Sequence, residues 1–337
     1  GLSYLVQLLV HVHDNRNDGL DEPLALATSR SLLQLAAGSM SHTNVSLQSN
    51  MDTERDDVIN AIATKALEPL VTMASSKQRG ELRLVAVETL RIISDDVRPD
   101  RWTRQKLCVA GAAMAFGKVL QQASSCLPQW IESQQATSDS NVSHSSSTDM
   151  ESSRETFQEL YHALHGLANM LEPPTDDEEA LHFAIQGFSE GVQKSLDLVC
   201  EQTGESGGVK SLLSIASLTM TTLQQKTLNT SISDLNEFLL ESFRSLASLC
   251  PLLLSKSASN KSLAIFAENI LLTLTGALKR EASSDYYEEI VEEVQFNALR
   301  GLCSLAQYEP LKVMIIDESL TELLQFKNAR NEQNELA

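Results

Sequence analysis

The feature that most constrains this chain is an apolar pattern of helical period that returns along it in one frame. In VQFNALRGLCSLA, residues Val294, Ala298, Leu302 and Leu305 share a face, and LRLVAVETLRIIS places Leu82, Ala86, Leu90 and Ile93 in the same way. QELYHALHGLANML repeats the frame at Ala163 and Leu167, FLLESFRSLASLC repeats it at Phe238, Ser242, Leu246 and Leu249, and TSRSLLQLA carries a weaker copy ending at Leu35. Two positions of the frame are held small. Ala86, Ala163, Ser242 and Ala298 occupy one, and Thr89, Gly166, Ser245 and Gly301 the other. Small side chains let helix axes approach closely, so the frame predicts defined helix crossings and not merely amphipathic helices.

A second element alternates with the first. It reads GLSYLVQLL from Gly1, KALEPLVTMA from Lys65, GAAMAFGKVL from Gly111, GGVKSLLSIA from Gly207, NILLTLTGAL from Asn269 and ESLTELLQF from Glu318. Centres near Leu5, Leu70, Phe116, Leu212 and Leu274 are each followed by a copy of the first pattern, near Arg30, Glu88, His165, Arg244 and Arg300. Such a chain is an array of like units, since 337 residues exceed what one core usually organises. Aromatic residues make up only 5% of it, and no Val/Ile-rich runs alternate between turn signals, so β-sheet has no support.

The two elements resemble the second and third helices of armadillo repeats, whose motif is Gly, four residues, Leu-Val-x-Leu-Leu, then a helix of the form ALxxLxNL. RQKLCVAGAAMAFGKVL, Arg104 to Leu120, matches best and also supplies a short first helix; NKSLAIFAE from Asn260 and LKVMIID from Leu311 are similar first helices. The resemblance implies an all-α, right-handed α-α superhelix of about five degenerate repeats; HEAT-type repeats are the alternative within the same architecture. Successive second helices lie further apart than the roughly 40 residues of such a unit, so several repeats carry insertions. The expected organisation is armadillo-like repeats over 1–122, a Ser-rich disordered insertion over 123–156, further repeats over 157–327 and a polar tail over 328–337. A second polar insertion is expected over 38–56, and both ends of the chain are expected to fall inside second helices, without the polar caps of a complete array.

Composition removes several functions. A net charge of −19 and a pI near 4.7 oppose a nucleic-acid footprint or an anionic membrane surface, which need clustered Lys and Arg. No apolar stretch reaches the roughly 18 residues of a spanning helix. Cys108, Cys126, Cys200, Cys250 and Cys303 form no CxxC pair, which fits a reducing intracellular compartment, the cytoplasm before the nucleus. Cys108, Cys200 and Cys303 lie within helical patterns and are expected in the core.

Catalytic and metal signatures are weak. His11 with His13, and His162, His165 and His182, cluster in sequence without a third ligand at helical spacing, so no metal is expected. The acidic groups Asp95-Asp96, Asp176 to Glu179 and Glu288-Glu289 read as solvated helix ends. Gly204, Gly207 and Gly208 lack the Lys-Ser/Thr of a phosphate loop. Trp130, with Leu127 and Ile131, would be a linear-motif anchor if exposed; packing back onto the helices is the expected outcome. The chain is therefore read as a non-enzymatic scaffold or adaptor with no cofactor, or alternatively as a HEAT-like regulatory or chaperone subunit of a larger assembly.

The armadillo resemblance places the binding groove on the third helices. Importin alpha and its relatives line that surface with Trp and Asn, at positions held here by Arg30 with Gln34, Glu88 with Ile92, His165 with Asn169, Arg244 with Ser248 and Arg300 with Ser304. Only Asn169 matches that ladder, so binding of nuclear-localisation signals is not expected. Arg30, Arg244 and Arg300 instead imply an acidic or phosphorylated protein or peptide partner.

Overall fold

The computed structural model describes residues 2–14, 21–38, 58–77, 80–95, 101–132, 147–172, 190–224, 232–253, 264–279, 288–318 and 321. Among these the chain is all-helical and contains no strand. The helices are α1 (Leu2–Asp14), α2 (Asp21–Gly38), α3 (Leu67–Ala74), α4 (Glu81–Ser94), α5 (Arg101–Ala110), α6 (Ala112–Ser124), α7 (Ser147–Leu171), α8 (Glu190–Glu205), α9 (Gly208–Gln224), α10 (Ile232–Leu253), α11 (Ala267–Leu278) and α12 (Glu288–Leu305). Shorter helical pieces occupy 58–65, 127–132, Ala264–Phe266 and 309–318. Every copy of the first sequence pattern is one of α2, α4, α7, α10 or α12, and α1, α3, α6, α9 and α11 carry the second.

Two glycines make the tight corners between consecutive helices. Gly111 (φ 86°) joins α5 to α6 and Gly207 (φ 76°) joins α8 to α9, both in the left-handed region that a Cβ penalises. Their N–H groups donate to the Cys108 and Gly204 carbonyls.

The contacts divide the chain into two compact units, 1–126 with 144–208 and 127–143 with 209–337. In the first, α2 packs on α4 and α4 on α7, so three copies of the first pattern lie side by side. Helices α1, α3 and α6 back them, and α5 and α8 cover the outside of α6. Leu70, Val87, Leu90, Phe116, Leu164 and Leu167 are sealed from solvent in this core. Each such burial stabilises the fold by about 1.5–3 kcal/mol. In the second unit α10 lies against α12, with α11 packed on both. Phe238, Phe243, Leu246, Leu274, Val294 and Leu302 form its core.

The small frame positions sit where the helices cross. A Cβ at Gly166 of α7 would lie 2.7 and 2.8 Å from two ring carbons of Phe116 on α6. One at Gly301 of α12 would meet Leu274 Cδ1 at 2.7 Å, Cys250 Sγ at 3.2 Å and the Ala247 Cα at 3.3 Å. Ala86, Thr89, Ala163, Ser242, Ser245 and Ala298 are all fully buried.

The structure corrects two expectations, on the Ser-rich stretch and on Cys303, and agrees with that of packing at Trp130. The Ser-rich stretch 123–156 is not without order throughout, because 127–132 is helical and α7 begins at Ser147, ten residues ahead of the boundary expected at 157. Polar serines carry enough helix propensity to extend a helix whose C-terminal half is anchored by packing. Leu127 and Ile131 are buried and Trp130 half-buried, so the segment packs and does not present a free anchor. Cys303, expected in the core, is exposed on α12, one position beyond the buried Leu302. The second polar insertion beyond Gly38, His182, Asp176 to Glu179 and the tail 328–337 lie outside the described residues.

Candidate functional site

The helices that carry the first sequence pattern pack side by side within each unit, and polar contacts cross the seams between them. Arg30 on α2 pairs with Glu81 on α4, both about half exposed. Glu88 on α4 faces His162 on α7, with Oε2 and Nε2 4.0 Å apart, and Asn169 Nδ2 donates to Asp95 Oδ1 across the same seam at 3.5 Å. In the second unit Arg300 on α12 donates to the Arg244 carbonyl at 3.3 Å and to Ser248 Oγ at 3.0 Å, both on α10. Ser304 Oγ donates back to the Arg300 carbonyl. In the first unit the predicted residues meet neighbours of one another, Glu88 with His162 and Asn169 with Asp95, whereas Arg244, Ser248, Arg300 and Ser304 are joined directly. Arg30 stands at the edge of the first cluster, and Gln34 is exposed beside it on α2.

The electrostatics of the two clusters differ. Burial pulls the His162 imidazole down to about 3, helped by the nearby Arg91 guanidinium and His165. His162 is therefore neutral at physiological pH, and its approach to Glu88 is a contact with a neutral ring and not an ion pair. Burial also raises the Glu88 carboxyl, against the opposing pull of Arg91. Arg91 itself pairs with Asp95 at 3.7 Å. Tyr161 lies against His165 at a 48° tilt, ring centroids 4.4 Å apart, and meets His162 edge-on at 5.2 Å. In the second unit Arg244 Nη1 lies 3.2 Å from both carboxylate oxygens of Glu241, one turn back on α10 and nearly buried.

Sequence reasoning missed the most deeply buried charges. Arg83 of α4 is 2% exposed, and its Nη2 pairs with Glu159 Oε2 of α7 at 2.9 Å. Its Nη1 donates to the Ser76 carbonyl at 3.1 Å and to Gln122 Oε1 of α6. The signal was present: Glu159 stands at the frame position held elsewhere by Leu82, Phe238 and Val294. A carboxylate there needs a buried cation, because an unpaired charge in a core is prohibitively costly.

Burial pushes the Cys200 and Cys250 thiols up to about 12, so neither supplies a thiolate near neutrality. Among the described residues no three His, Cys, Asp or Glu side chains converge as metal ligands, and no helix is long and apolar enough to cross a membrane. In comparisons with protein-family models, curated proteins and solved structures, the chain matches none.

Proposed function

We propose that the chain is an armadillo-like solenoid that serves as a non-catalytic scaffold, binding a protein or peptide along the exposed edges of α2, α4 and α7 and of α10 and α12. The observation that carries this reading is the side-by-side packing of like helices, α2 on α4 on α7 and α10 on α12, each seam crossed by polar contacts at its rim: Arg30 with Glu81, Glu88 with His162, Asn169 with Asp95, and Arg300 with Ser248. Such polar rims suit an extended or helical partner, and the guanidiniums of Arg30, Arg244 and Arg300 suit carboxylates or phosphates on it. Armadillo-like geometry is favoured over HEAT-like because an additional helix, of varying length, precedes the second helix in several units: 58–65, α5, α8 and Ala264–Phe266. A two-helix HEAT unit has no place for it.

The test is affinity capture with the full chain, comparing wild type with Arg30→Glu and Arg244→Glu and quantifying recovered proteins. A partner lost from both variants at unchanged melting temperature supports the groove. An identical set of recovered proteins removes it.

A further inference from the structure

We draw no further inference here: the strongest candidate, the cluster of Glu88, Arg91, Asp95 and His162 at the rim of the α4–α7 seam, belongs to the site already described.

Discussion

The seam between α4 and α7 and the seam between α10 and α12 join equivalent helices by different chemistry. The first is polar at depth, with Arg83 and Glu159 sealed together, His162 held neutral beside Glu88, and Arg91 with Asp95 at the rim. The second is closed by small residues, Ala247 against Gly301 with Ser242 and Ser245 buried nearby, and its arginines lie at the edge. One repeat frame therefore tolerates a buried ion pair in one unit and close backbone approach in the other. What the frame specifies is the spacing of the helices; what fills the space is decided locally.

The largest expected effect breaks the polar seam. Arg83→Ala leaves Glu159 charged and buried and is expected to cost about 3–5 kcal/mol, read by urea denaturation. The double replacement Arg83→Met with Glu159→Leu should recover most of that loss, because apolar side chains of similar volume need no counter-charge. A double variant as unstable as the single one would mean that the seam depends on the charges themselves.

The next effect probes the close-packed glycines, Gly166 of α7 against α6 in the first unit and Gly301 of α12 in the second. Gly166→Ala and Gly301→Ala drive a methyl into Phe116 and into Leu274, and each should lose about 1–2 kcal/mol, overpacking outweighing the gain in helix propensity. Gly276→Ala meets only the flexible end of Met220, 3.3 Å away, and is expected to be neutral or stabilising by up to about 1 kcal/mol. Thermal melts of the three variants give the comparison, and a stabilising Gly301→Ala would show that α12 can shift away from α10.

His162 sharpens the contrast through pH. Its folded value, about 3, lies below the ordinary 6.5, so between these values the unfolded chain binds the extra proton. Stability from this group is complete above 6.5 and falls as the solution is acidified, by about 2 kcal/mol between pH 7.5 and pH 5. Glu88, raised by burial, acts with the opposite sign, since its protonated form is favoured in the fold. The measurement is therefore a difference: His162→Phe should lose less stability than wild type over this interval, and parallel pH profiles would contradict it. The smallest effect is at the exposed Arg30–Glu81 pair, where Arg30→Gln is expected to change stability by less than about 1 kcal/mol.

The helical pattern, its order and the small crossing positions were legible in the sequence, because a period near 3.6 and a recurring Ala or Gly report on a helix's own buried face. Helices α8 and 58–65 were less visible, their apolar positions diluted by Gln, Asp and Glu in the first and by Asn and Thr in the second. The start of α7 was hidden for a related reason: its first turns are polar, and their order depends on the packed turns that follow. Of the candidate site, the sequence placed each residue on the correct helix but could not say which arginine meets which acid.

Residue identities determined that this chain is helical, that its helices alternate in two kinds, and that two positions in one kind must be small. Those follow from local periodicity and from side-chain volume, which each segment carries within itself. Tertiary structure alone decided that Arg83 reaches Glu159 across 76 positions, that His162 is buried deeply enough to stay neutral, and that Cys303 faces out while Leu302 faces in. Such outcomes depend on which helix lies opposite and how closely it approaches, and no single segment encodes its neighbour.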